Sequence, residues 1–226
     1  NVRDLTVKQL LENKELDSLM KIVALDSSKS YSSTKGLRYG SIMVMADQDP
    51  DGSHIKGLLI NFIQYWFPSL LRVEGFLKEF VTPIVKVSKG EEKLTFFTLN
   101  EYELWKKQNH GGGGWKCKYY KGLGTSTSAE AQEYFSDLGS HEISFTYSGA
   151  DDDDLIDMAF NGKRADDRKK WIACSSPDVF VDHSQPTLTY ADFVNKELVA
   201  FARYDVDRMI PCLVDGLKIG QRKVIF

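Results

Sequence analysis

The stretch Asp47-Gln48-Asp49-Pro50-Asp51-Gly52-Ser53-His54 sets three carboxylates at alternate positions, directly after a short apolar run. Crowded carboxylates repel one another, which raises their pKa values unless a cation neutralises them. Oxygen donors of this kind suit a hard divalent ion, Mg2+ or Ca2+. An EF-hand loop starting at Asp47 would need a bidentate glutamate at its last position, where the chain has Leu58. The segment before the turn also reads as a strand, so the EF-hand is rejected. Two uses remain. Carboxylates holding one or two Mg2+ ions, with waters and substrate phosphates completing the shells, would clamp a phosphodiester for in-line displacement. Alternatively the turn caps the next helix, for which one Asp would suffice.

Such a turn needs a strand before it and a helix after it. The apolar run over 41–46 suits a buried parallel strand. Ile55, Leu58, Leu59, Phe62, Ile63 and Trp66 then repeat at helical spacing, which predicts a helix over 53–66 that Pro68 ends. In an open α/β sheet, ligands lie beyond the carboxyl ends of strands. A helix is expected over 4–25, strands over 81–87, 95–98, 115–120 and 143–147, and helices over 101–107 and 129–138. The four glycines 111–114 read as a loop tip. This alternation argues for an α/β sheet domain over 1–147, with an insert around 88–118.

Residues 148–186 read as a helical linker region. Its four aspartates, 151–154, would open a helix, facing solvent and the helix dipole. From 187 to 226 the pattern is mostly helical, with segments over 188–196, 198–204 and 209–226. The last residues, Arg222 to Phe226, fall inside an apolar-periodic stretch without a stop signal, so the chain reads as a fragment of something longer.

Composition sets the limits. With 29 Lys and Arg against 32 Asp and Glu, the net charge is −3, and 42% of residues are hydrophobic. That excludes a disordered chain, a coiled coil and a collagen. A DNA partner would have to be met by local basic patches. No apolar run is long enough to span a membrane, and the first residues lack the apolar region of a signal peptide. Cys117, Cys174 and Cys212, like the four histidines, are scattered without zinc-ligand spacing. They read as reduced thiols in an intracellular protein.

A strand followed by Asp-x-Asp-x-Asp-Gly resembles the Toprim domain of topoisomerases and primases. The fuller string DQDPDGSHIKGLLINF (47–62) is similar to type IIA DNA topoisomerases, specifically eukaryotic topoisomerase II. So are FVTPIVKVSK (80–89), YYKGLGTSTS (119–128), DDRKKW (166–171), LTYADFVNKEL (188–198) and IPCLVDGLKIGQRKVIF (210–226), in the same order. Bacterial gyrase relatives normally carry the Lys-Gly-Leu-Gly core without the Thr-Ser-Thr-Ser tail. Ile219 stands where that family usually has a proline.

The resemblance implies a Toprim domain, Rossmann-like with a mostly parallel sheet, followed by the start of a mostly helical winged-helix domain over 187–226. It implies that Asp47 and Asp49 are catalytic metal ligands for Mg2+, with Asp51 a secondary or alternate ligand. It places DNA contacts at Asn1, Lys121, Arg168, Lys169, Lys218 and Arg222. The residues alone leave some of these open. Lys121 to Gly124 suits a phosphate-approaching turn or simply a turn before a helix, and 163–170 suits a solvated helix face as well as phosphate contacts. The parent would be a nuclear, ATP-dependent homodimer that makes a double-strand break in DNA with a tyrosine of the neighbouring domain, passes a second duplex and reseals. A further acidic residue would precede Asn1, and the nucleophilic tyrosine and the ATPase domain would lie outside the chain. The fragment alone is then expected to be inactive. Two rivals stand beside this reading. A Toprim primase or nuclease predicts no winged-helix tail, and a non-catalytic DNA-binding module predicts that Asp47→Ala leaves metal affinity unchanged.

Overall fold

Asn13 divides the first amphipathic stretch into two helices, α1 (Val7–Glu12) and α2 (Lys14–Val23), where one was expected. Asn13 is extended (φ −78°, ψ 109°), and its side chain accepts the Leu16 amide as the cap of α2. In the computed structural model, residues 2–120, 123–176, 179–183 and 185–226 are described. The chain continues through β1 (Ile42–Met45), α3 (Pro50–Trp66), α4 (Pro68–Leu71), β2 (Leu77–Phe80), β3 (Val85–Lys89) and β4 (Glu92–Phe96). Then come α5 (Leu99–Gln108), β5 (Lys116–Tyr119), α6 (Ser128–Ser136), β6 (Glu142–Thr146), α7 (Ala150–Phe160) and α8 (Ala165–Cys174). The last part holds β7 (Thr187–Thr189), α9 (Tyr190–Asp192), a wide π-helical turn (Phe193–Leu198), α10 (Val199–Met209) and α11 (Ile219–Ile225).

The main sheet has the order β1-β2-β6-β7. β1 runs parallel to β2 and β6 parallel to β7, while β2 and β6 are antiparallel. β7 pairs Thr187 with Ser144 and Leu188 with Phe145, so the region expected to open a separate helical segment begins as a strand of this sheet. Three residues are too few to show a period of two. The residues 81–87, read as one strand, belong mostly to a crossing between two sheets. β2 ends at Phe80 and β3 begins at Val85, with Pro83, which lacks an amide hydrogen, between them. The second sheet, order β4-β3-β5, is antiparallel. Its buried Ile84, Val85, Val87 and Phe96 pack with Tyr102 and Trp105 of α5 and with Trp115.

The core gathers Leu70, Phe76, Leu77, Phe145, Tyr190 and Phe193 around α3. α3 is rotated relative to its apolar spacing. Ile55 and Leu58 are exposed, while Ser53, Lys56, Gly57, Ile60, Asn61 and Ile63 are buried. The reason lies at Gly57. A Cβ there would come within 3.0 Å of the Leu198 and Phe160 side chains, so the bare backbone lets the turn 193–198 close onto α3. The aspartate run is also only partly solvent-facing. Asp152 is fully buried and accepts from the amide of Ser148 (2.5 Å) and from that of Ala191 (2.9 Å), tying α7 to α9.

Candidate functional site

The acidic turn leaves the carboxyl end of β1 and enters α3 within a few residues. Asp49 is the N-cap: its backbone is extended and its Oδ1 accepts the Gly52 amide at 2.7 Å. Pro50 takes the first helical position, where its missing amide hydrogen costs nothing, so α3 begins earlier than the apolar spacing suggests. Gly52 sets the tightness of the turn. A Cβ at this position would lie 1.9 Å from the Asp47 carbonyl oxygen. The Asp47 backbone therefore rests directly on the first turn of the helix.

Asp51 sits in that first turn and points to solvent and to α10. Its two oxygens accept from Arg208 Nη2 (2.8 Å) and Nη1 (2.9 Å). This bidentate bond draws Asp51 below the usual carboxylate range and raises Arg208. His54 stacks on Phe201 of α10 with ring centroids 4.1 Å apart and planes 7° off parallel. Burial lowers its pKa, against the pull of Asp205 and Asp51.

A second group of charges lies beneath the turn. Lys56 Nζ is 2.7 Å from Glu79 on β2 and 2.5 Å from Glu197 in the turn 193–198. The ammonium is opposed by burial, but the two carboxylates outweigh that and raise its pKa. Burial pushes Glu79 up to about 7, with Lys56 pulling the other way. Glu197 is mostly withdrawn from solvent, which works to raise it, yet Lys56 holds it below the usual range. Of the two carboxylates, Glu79 is the one that protonates first. His183 completes the group, lowered by burial, with Gln48 Nε2 3.4 Å from its Nε2. A cavity of about 270 Å³ opens beside the group, lined by Asp49, Ser53, His183, Glu197 and Arg203 among others.

The donor sets differ. Among the described residues, three His, Cys or carboxylate ligand atoms within 4.8 Å of one another occur at Glu79, His183 and Glu197, not at the acidic turn. Lys56 already supplies a cation to two of those three. The turn fits a Mg2+ ion in another way. That ion binds through one or two carboxylates and leaves the remaining positions to waters and phosphates. Asp47 and Asp49 carry carboxylates just beyond the end of β1, and one oxygen of Asp49 accepts the Gly52 amide, leaving its other oxygen as a potential donor. Asp51 is engaged by Arg208.

The sequence pattern of the C-terminal associated domain of TOPRIM matches residues 80–206, more than half of the chain. The chain belongs to the TOPRIM C-terminal associated domain family. It is 56% identical to DNA topoisomerase 2 of Plasmodium falciparum over 227 positions. It is 52% identical over 241 positions to DNA topoisomerase 2-alpha of Homo sapiens and to DNA topoisomerase 2-beta of Gallus gallus. The whole chain aligns in each case, but it spans only 16%, 16% and 15% of those proteins. Its fold superposes with a TM-score of 0.90 and 55% identity on the crystal structure of the Plasmodium falciparum topoisomerase II DNA-binding, cleavage and re-ligation domain. That match covers 100% of this chain and 31% of the other. The expected resemblance to eukaryotic topoisomerase II and the α/β fold class are both borne out.

Within this TOPRIM-associated chain the expected DNA contacts are dispersed. Asn1 and Lys121 lie outside the described residues. Arg168 Nη1 donates to the carbonyl oxygens of Met158 (3.0 Å) and Asn161 (2.5 Å), closing the end of α7. Lys169 is exposed beside Asp166 at 2.8 Å. Lys218 is the N-cap residue of α11, and Arg222, one turn on, is paired with Asp215 at 2.8 Å. Sequence reasoning missed Lys56, Glu79, His183, Glu197 and Arg208. A signal existed for one of them: Lys56 shares a helical face with Ser53, Gly57 and Ile60.

Proposed function

We propose that this chain is the part of a type IIA DNA topoisomerase that holds Mg2+ at the scissile phosphate and grips the duplex to be cut. The observation carrying this reading is the acidic turn at the carboxyl end of β1. It lies in a chain 56% identical to DNA topoisomerase 2 of Plasmodium falciparum. The Plasmodium falciparum structure is described as a DNA-binding, cleavage and re-ligation domain, which supports the same assignment here.

The chemistry follows from the residues. When bound, a divalent ion would supply charge neutralisation at the phosphate and at the leaving oxygen of an in-line displacement. Asp47 and Asp49 are the ligands in this proposal, and Asp51 exchanges between Arg208 and the site. The amino end of α3 adds the positive end of its dipole, which relieves the crowding of three carboxylates and favours an approaching phosphate. Lys169, Lys218 and Arg222 contact the sugar–phosphate backbone without reading bases, so binding is sequence-tolerant and weakens with salt. The parent acts as a nuclear homodimer and uses ATP in another region.

The test is cleavage of supercoiled DNA by the full-length protein in Mg2+, wild type against Asp47→Ala. Loss of cleavage with duplex affinity retained is expected. Cleavage at the wild-type rate would overturn the metal-ligand assignment and leave the turn as a helix cap.

A further inference from the structure

The acidic turn is anchored from a distant part of the chain. Glu197 lies 144 positions from Ser53, yet its Oε1 accepts both the Ser53 hydroxyl (2.8 Å) and the Lys56 ammonium (2.5 Å). Ser53 returns to the turn: its amide donates to the Asp49 carbonyl oxygen at 3.1 Å, and its hydroxyl lies 3.2 Å from the same atom. Lys56 reaches on to Glu79, which stands opposite Val44 in the β1–β2 register. One carboxylate oxygen thus fixes two consecutive turns of α3 and, through them, the exit from β1.

This is a poor device for stability alone. Removing charges from water costs more than their attraction returns unless the geometry is good, and apolar side chains of equal volume serve as well or better. The group is also imperfectly satisfied. Glu79 Oε1, Glu197 Oε2 and His183 Nδ1 are buried without a protein partner among the described residues. A carboxylate does what a leucine cannot: it fixes the direction of two donors at once. The wide π-helical turn that carries it is a geometry often found at functional sites.

We propose that Glu197 is a positioning residue for the metal-binding turn, holding Asp47 and Asp49 in place through Ser53 and Lys56. The proposal rests on the metal role given to those aspartates. It makes the turn 193–198 part of the metal machinery, where the sequence pointed only to the start of a winged-helix domain.

The test uses full-length protein without nucleotide. Mn2+ affinity is read from the electron paramagnetic resonance of the free ion, and the Mg2+ concentration for half-maximal DNA cleavage is read beside it. Glu197→Ala should weaken both about 10-fold, the lower end seen when partners that orient metal ligands are removed. Duplex affinity should stay unchanged. Glu197→Gln, which keeps an acceptor for Ser53 but loses the charge, should shift both in the same direction by less. Wild-type metal affinity in a folded Glu197→Ala protein would overturn the proposal, even if its melting temperature fell. Should that variant not fold, Ser53→Ala removes only the hydroxyl link, and unchanged Mn2+ affinity there is equally fatal. Asp47→Ala separates the two claims. If it leaves metal binding intact, the metal reading itself fails; if it abolishes binding while the Glu197 and Ser53 variants bind normally, only the positioning role falls.

Discussion

Two ionic contacts join the entrance of α3 to the segment 193–209, and they sit in opposite environments. The Lys56, Glu79 and Glu197 side chains are 4%, 0% and 11% exposed. Arg208 and Asp51 are 36% and 51% exposed. The pairs are similar in chemistry and distance, but water and salt can replace a partner only in the second. The dry contact therefore fixes position, whereas the wet one is exchangeable. This suits their neighbours: the dry group lies under the backbone of the turn, and the wet pair occupies a carboxylate that a metal ion could claim.

The largest expected effect breaks the dry contact. Lys56→Met leaves two carboxylates buried without their cation and should destabilise the fold by about 3–5 kcal/mol, measured by urea unfolding. Adding Glu79→Gln and Glu197→Gln should restore most of that loss, because the stranded charges go too. If stability returns but Mn2+ affinity does not, stability and positioning are separated. A Lys56→Met protein as stable as wild type would end the contrast between the two contacts. Next comes the turn itself. Gly52→Ala puts a methyl group 1.9 Å from a carbonyl oxygen of the main chain, which cannot rotate away. A loss of about 3 kcal/mol is expected, near the top of the usual range for overpacking, together with weaker metal binding. An unchanged urea midpoint would mean that the turn is looser than this contact requires.

The contrast also shows what the sequence made legible. The strand–turn–helix carrying Asp47 and Asp49 was readable because its signals are local: an apolar run, alternating carboxylates, a helical stripe. Glu79 was not readable. It stands in the four-residue strand Leu77–Phe80, where a charge argues against burial and the run is too short to show a period. Glu197 falls between the two segments, 188–196 and 198–204, that read as helical, and nothing nearby announces a partner 144 positions away. Arg168 shows the same limit: its charged neighbourhood gave no sign that its guanidinium donates to the carbonyl oxygens of Met158 and Asn161 at the end of α7. Local chemistry found the turn; only the folded chain supplied what holds it.

A subtler test of the dry group uses pH. Burial raises Glu79 from the ordinary carboxylate value to about 7. Between roughly pH 4.5 and 7 the folded state therefore binds more protons at this residue than the unfolded state does, so this group's contribution to stability falls as pH rises. At 1.36 kcal/mol per pKa unit the fall is at most about 3 kcal/mol, and the lowered Glu197 does not offset it, because its own effect lies below the ordinary carboxylate value. Wild type minus Glu79→Gln, measured by urea unfolding at pH 5 and pH 8, should show that decline. A flat difference would indicate that Glu79 stays ionised and that Lys56 dominates its environment.

The smallest effect belongs to the wet pair. Arg208→Ala removes a bidentate partner of Asp51, but both groups face solvent and a released carboxylate is simply hydrated. The urea midpoint should be the same as wild type within error at physiological salt, and any difference should appear only at low ionic strength, where screening is weak. A clear loss of stability at 0.5 M salt would break the comparison, making this contact structural despite its exposure. Metal binding sharpens the point. If Arg208 only occupies Asp51 until another cation arrives, Arg208→Ala should leave Mn2+ affinity equal to wild type or slightly higher, the reverse of what Glu197→Ala should do from the other side of the same turn.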